Sequence, residues 1–229
     1  MKNSIFSKFA GKAIALLGSA AMVFSVSACG QSNDTSAQTD SDGLTKVTFM
    51  LSWAPDTNHI GVYVAKNKGY FKSVGLDVDI VAVAQAGAEQ AVNNGVAGNA
   101  DTIGVITSDK TISSNPDLVK KFVEATKKGY EYAYSNPDNA AEILVKEAPD
   151  ANLKPAFVKK SMKTIVDGQY WGDPSKIKDG SFVFGTNDTE GAQEYFDFLA
   201  QEDAYTDSHD KVIHEAPQAK DLATDEFLK

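Results

Sequence analysis

The rhythm of apolar and polar positions divides the chain into unlike stretches. Residues 46–51 (KVTFML) are short and β-prone and predict a first strand. A turn-rich run, 53–58 (WAPDTN), follows it. Residues 59–68 (HIGVYVAKNK) predict a helix with Ile60, Val64 and Tyr63 toward one face. Asp56, Thr57 or Asn58 would cap it, Gly69 would end it, and Tyr70-Phe71 would close the turn. Residues 76–83 (LDVDIVAV) alternate for part of their length and predict a second strand. A helix over 87–94, a loop over 95–101 and a wholly apolar third strand over 102–107 (TIGVIT) complete the first half. Strand, helix, strand, helix, strand predicts an α/β fold with a parallel sheet.

The second half is helical in period. Asn115-Pro116-Asp117 and Asn136-Pro137-Asp138 are two copies of one start signal. Asn is a good N-cap, Pro suits the first turn, and Asp favours the positive helix end. Helices are expected over 116–134, 137–147, 154–166 and 189–204, with a last turn within 221–228.

The amino terminus has another character. Lys2, Lys8 and Lys12 precede an apolar run, 13–26 (AIALLGSAAMVFSV), with no acid before residue 29. A spanning helix needs about 20 apolar residues, so this length and these flanks fit a signal peptide over 1–28. Val26-Ser27-Ala28-Cys29-Gly30 resembles a lipobox, which implies a lipid on Cys29. Cys29 is the sole cysteine of the chain, so it has no disulfide partner within it. Residues 29–43 are small, polar and acidic, the composition of a flexible lipid-anchored tether. The expected address is the outer face of a bacterial cytoplasmic membrane.

Charge narrows the choice of partners. The formal net charge is −9, and removing residues 1–28 takes away three lysines and no acid, leaving −12. An acidic surface disfavours nucleic acid. The chain contains no arginine, so bidentate capture of an anion is lost. Three histidines (His59, His209, His214) and no cysteine after residue 29 give no zinc pattern. No P-loop, dinucleotide fingerprint or nucleophile elbow occurs, so no cofactor and no enzymatic activity are expected. The 186 residues from 44 to 229 suffice for one good core or two small ones.

Three blocks carry a family resemblance. The first runs from Leu51 to Phe71 (LSWAPDTNHIGVYVAKNKGYF) and on into Gly75-Leu-Asp-Val-Asp-Ile80; the second covers 94–105 around Gly98-Asn-Ala-Asp101; the third runs over 115–126 and 136–144. Together they resemble the solute-binding lipoproteins that deliver thiamine-pyrimidine precursors to ABC importers. The W-x-P-x-T-N-H block is the specific one. The same superfamily includes thiamine pyrimidine synthases and, more distantly, nitrate, sulfonate and taurine binders. The resemblance implies a type II periplasmic-binding-protein-like fold, a small pyrimidine ligand, and ABC permease and ATPase partners. Such proteins have two lobes, whereas here the third strand leads almost directly toward the Asn115 helix. An apparent deletion near 98–108 would leave one lobe largely present, the second mostly missing, and a helix-rich C-terminal half. The family's G-G-x-G-S-P ligand loop has no counterpart in this sequence.

On this reading the ligand-binding candidates are Trp53, Asp56, Asn58, His59, Tyr63, Asp101 and Trp171. Trp53 would lie beyond the carboxyl end of the first strand, where open α/β sheets hold ligands, and an indole there can stack on a flat ring; the alternative is an ordinary loop or core residue. Asp56 could accept from an exocyclic amine or merely cap the helix. Asn58 and His59 could donate to ring nitrogens, or serve as a cap and a half-exposed helix residue. Tyr63 faces the cleft or the core, Asp101 the cleft or its own loop, and Trp171, within Tyr170-Trp-Gly-Asp173, the cleft or a packing site. The alternatives to pyrimidine capture are a degenerate paralogue without a ligand, a binder of another small solute, and a pyrimidine synthase.

Overall fold

A computed structural model describes residues 39–81, 97–99 and 104–228. The signal peptide, Cys29, the helix expected over 87–94 and Asp101 lie outside the described residues.

Residues 39–43, at the expected end of the tether, form a turn. The Asp40 carboxylate accepts from the Asp42 and Leu44 N–H groups at 2.9 and 2.8 Å, and Thr39 bridges to Thr45. Strand β1 (Thr45–Met50) follows and alternates as a half-buried strand must. Val47, Phe49 and Leu51 turn toward the core, while Lys46 and Thr48 are exposed. Helix α1 (Ile60–Asn67) is reached through a 3-10 turn, Thr57–His59. Ile60, Val62, Tyr63, Val64 and Ala65 are all buried, so α1 is apolar around most of its girth and sits inside the core. It ends as expected at Gly69, whose φ of 73° suits a residue without Cβ. Tyr70–Ser73 then form a short helix, α2, where only a turn was expected.

Strand β2 (Leu76–Val81) pairs in parallel with β1, from Thr45 opposite Leu76 to Met50 opposite Val81. The third parallel strand is β3 (Ala97–Asn99), opposite Phe49 and Met50 of β1. This corrects the expectation of a third parallel strand over 102–107. Its Val105–Ile106 form β4, which pairs antiparallel with β3. The connection from Asn99 to Val105 is too short for a crossover of a dozen or more residues, so the chain can only double back. The sheet order is β2-β1-β3-β4.

The helices that follow are α3 (Asp109–Ser114), α4 (Pro116–Ser135), α5 (Pro137–Glu147), α6 (Pro155–Asp167), α7 (Pro174–Asp179), α8 (Thr189–Gln201) and α9 (Ala219–Leu222). α4 and α5 start where the two Asn-Pro-Asp signals put them. Neither Asn caps through its side chain, however. Each is the single joint between two helices, and its amide turns elsewhere: Asn136 Nδ2 donates to the Tyr132 carbonyl of the preceding turn, and Asn115 Nδ2 to Ser114 Oγ. The paired lysines of α4 lie on its solvated faces, where Lys121 meets Asp117 and Lys128 meets Glu124, each at 2.7 Å.

The core forms where α4 crosses α1 over the sheet. Phe122 of α4 stacks on Phe71 of α2 at 5.2 Å and meets Phe49 of β1 at 5.3 Å, joining three elements through three rings. α5 packs on α1, and α6 packs on α5 through Val158 and Met162. α8 is more peripheral: Ala200 is buried, whereas Tyr195 and Phe198 face solvent. The result is a mixed α/β architecture, a small mainly parallel sheet covered by helices, with a helix-rich second half.

Candidate functional site

The loop after β1 carries most of the candidate residues. Its backbone leaves the sheet at Leu51, whose N–H donates to the Val81 carbonyl at 3.1 Å. Trp53 then projects into solvent, 70 % exposed. Further along, the loop is tightly built. Asp56 caps the 3-10 turn: its carboxylate accepts from the Asn58 N–H at 2.8 Å, while the Asp56 N–H points at His59 Nδ1, 3.3 Å away. This reciprocal arrangement is a capping box with histidine in the place usually held by Glu or Gln.

His59 is 2 % exposed, which corrects the half-exposed alternative. Ile60, Val62 and Phe49 of the core are equally withdrawn from water, so the ring is enclosed at the start of α1. Its Nδ1 also lies 3.0 Å from Asp56 Oδ1. The two contacts make opposite demands. A neutral ring with its proton on Nε2 accepts from the Asp56 N–H, whereas a ring protonated on Nδ1 donates to the carboxylate. Burial pushes the Asp56 carboxyl up, but hydrogen bonds from His59 and from the Asn58 N–H, with the His59 charge, hold it below its ordinary value.

Two distant helices fasten this loop. Thr57 Oγ1 lies 3.1 Å from Ser161 Oγ on α6. The Tyr130 hydroxyl on α4 donates to the Asn58 carbonyl at 2.5 Å. Burial first, and the Asp56 charge second, push the Tyr130 phenol far above its ordinary value. The Asn58 side chain itself is exposed.

The other candidates are placed differently. Tyr63 is 7 % exposed and faces the core, and burial raises its phenol. Trp171 is 8 % exposed and committed to packing. It meets Tyr130 edge-on at 5.5 Å, Phe184 edge-on at 6.3 Å and Tyr134 at 5.9 Å. Its neighbour Tyr170 is 72 % exposed. The Tyr134 hydroxyl donates to the Gly172 carbonyl at 2.6 Å. Gly172 has φ 107°, and a Cβ there would press on the Phe182 ring, so this bend demands glycine.

The structure thus gathers Asp56, Asn58 and His59 at one turn with Trp53 beside them, and puts Tyr63 and Trp171 in the core below. Sequence reasoning missed Tyr130, Tyr134, Phe184 and Ser161. The spacing of the two tyrosines, one helical turn apart on an amphipathic helix, was a signal, but it reads equally as ordinary core. A shallow hollow lined by Asp197, Ala200, Gln201, His214 and Ala216 lies along α8 and the C-terminal segment and includes none of the candidates.

Residues 56–100 and 90–140 match the family described as NMT1/THI5 like. The chain is 50 % identical over 36 residues to a 4-amino-5-hydroxymethyl-2-methylpyrimidine phosphate synthase of Saccharomyces cerevisiae, covering 16 % of this chain and 11 % of that protein. It is 47 % identical over 47 residues to the formylaminopyrimidine-binding protein of Halalkalibacterium halodurans, covering 20 % of this chain and 14 % of that one. It is 38 % identical over 50 residues to the riboflavin-binding protein RibY of Chloroflexus aurantiacus, covering 22 % and 14 %. The chain therefore spans only a small part of the length of the curated relatives it matches. These likenesses support a superfamily that holds both synthases and small-molecule binding proteins, and they suggest a solute-binding role.

Proposed function

We propose that this chain is an extracytoplasmic solute-binding lipoprotein that captures a thiamine pyrimidine precursor for an ABC importer. The observation that carries the reading is the indole of Trp53, 70 % exposed on a loop braced from α4 and α6 at the carboxyl end of the sheet. Such a ring offers a flat apolar face to a flat heterocycle. Asp56 and Asn58 beside it supply an acceptor and donors of the kind that fix an aminopyrimidine. The printed names of two relatives, binders of formylaminopyrimidine and of riboflavin, support a nitrogen heterocycle as the class of solute.

On this reading Cys29 carries the lipid, residues 29–43 lift the domain from the membrane, and the chain is not an enzyme. The parent architecture is the type II binding-protein fold with one lobe kept. In support, the family match comes in two pieces that overlap at 90–100, beside the junction at 98–108. Isothermal titration of the folded chain with hydroxymethylpyrimidine, formylaminopyrimidine and riboflavin tests the reading; no heat with any of them sinks it. The address is tested separately: Cys29→Ser should move the protein from the membrane fraction to the medium. A synthase would instead reveal itself by a lysine Schiff-base absorbance with pyridoxal phosphate.

A second reading has its own observation. Among the described residues one cluster gathers the buried apolar side chains other than Ala200 and Ala219, and a cleft needs two walls. A shortened paralogue without a ligand would have a melting temperature that none of these compounds moves.

A further inference from the structure

Two tyrosines on α4 make the same bond to two different loops. Tyr130 donates its hydroxyl proton to the Asn58 carbonyl at 2.5 Å, and Tyr134 donates to the Gly172 carbonyl at 2.6 Å. Residues four apart share a helix face, and Trp171, carried on the second loop, lays its ring against both. Each loop also presents an exposed aromatic side chain, Trp53 on one and Tyr170 on the other. We propose that Tyr130 and Tyr134 are positioning residues: through the Asn58 and Gly172 carbonyls, one helix face sets where the Trp53 and Tyr170 loops stand relative to each other.

The packing around α4 supports this role over that of core filler. Tyr130 reaches Asn58 because Gly61 has no side chain; a Cβ on Gly61 would run into the Tyr130 ring. A ring placed only to fill volume needs no hydroxyl, and a buried hydroxyl costs free energy unless it is bonded. Both hydroxyls are spent on loop carbonyls rather than on groups within their own helix. The bends they hold differ in chemistry. One is the Asp56–His59 capping box, and the other is a glycine turn at φ 107°. A shared anchor is what fixes two such unlike turns in one frame.

The inference rests on the binding reading only for its ligand arm. The test is hydrogen–deuterium exchange of the full chain, followed over residues 52–59, 168–173 and 137–147, in Tyr130→Phe and Tyr134→Phe. Both variants keep the ring and remove the hydroxyl. The reporters are the bonded amides of Asp56, Asn58 and His59 in the first loop, and of Tyr170 and Gly172 in the second. Tyr130→Phe should speed exchange over 52–59 about five- to tenfold and leave 137–147 unchanged, the loss expected for one hydrogen bond. Tyr134→Phe should do the same over 168–173. Equal acceleration of all three segments, or of none, overturns the proposal. Titration of hydroxymethylpyrimidine, formylaminopyrimidine and riboflavin in parallel separates the two ideas. Loop-selective exchange with no binding by the unaltered chain overturns the binding reading and upholds the positioning role. Binding with uniform or unchanged exchange does the reverse.

Discussion

Gly129 of α4 lies so close to Gly61 of α1 that a Cβ on Gly129 would strike the Gly61 carbonyl oxygen. The two helices cross with backbone against backbone, and the Tyr130 ring fills the space that a side chain on Gly61 would take. No rotamer change relieves a clash with a carbonyl, whereas the Tyr130 ring can move if it gives up its bond to the Asn58 carbonyl.

Gly129→Ala should therefore cost more than Gly61→Ala. Overpacking a tight core costs about 1–3 kcal/mol, and for a domain of this size each kcal/mol lowers Tm by roughly 2–4 °C. Thermal melts of both variants check the order. Equal Tm values for Gly129→Ala and the unaltered chain would show that the crossing is looser than described.

Asp56 gives the capping box a pH dependence. Its folded value is depressed, so its charge stabilises the fold fully above the ordinary aspartate range near pH 4 and loses that contribution as pH falls through the lowered value. Asp56→Asn keeps a capping side chain and removes the charge. Melting curves of the two proteins should differ at pH 6 and converge in acid. Asp56→Ala should lose the cap as well, about 1 kcal/mol at any of these pH values.

Tyr130 acts at the other end of the scale. Its folded value is raised by burial and by the Asp56 charge, so the folded state keeps a proton that the unfolded state releases above about pH 10. Stability should fall as pH rises through that point. Urea unfolding at pH 9 and pH 11 should show a smaller alkaline loss in Tyr130→Phe than in the unaltered chain.

The two tryptophans should separate binding from stability. Trp53→Ala removes an exposed ring, so Tm should change by no more than a surface substitution allows, within about 0.5 kcal/mol. If the indole stacks on the solute, affinity should fall about two- to tenfold. Trp171→Ala empties a site ringed by Tyr130, Tyr134 and Phe184 and should cost about 3–5 kcal/mol. Calorimetry with the same ligand, beside melts of both variants, measures the contrast.

Local signals carried much of the architecture. The short β-prone run at 46–51 marked β1, Gly69 marked the end of α1, and Asn-Pro-Asp marked the starts of α4 and α5. These depend on neighbours within a turn or two, so the residues themselves suffice. A cap within 56–58 was likewise legible, but Asp56, Thr57 and Asn58 all suit that role, and only the structure assigns it to Asp56. Exposure was less legible. Trp53 and Trp171 are the same residue type in loops of similar composition, yet one is exposed and the other buried.

What the sequence determined by itself, then, is β1, β2, the helices α1, α4, α5, α6 and α8, and the turn that presents Asp56, Asn58 and His59. Only the tertiary structure decided that β3 is Ala97–Asn99 and that β4 runs back along it, because strand pairing depends on partners far away in the chain. It also decided that a phenol 72 positions away would hold the Asn58 carbonyl. A hydrogen bond of that kind has no periodicity to read; it exists because Gly61 and Gly129 let two helices approach until Tyr130 can reach across.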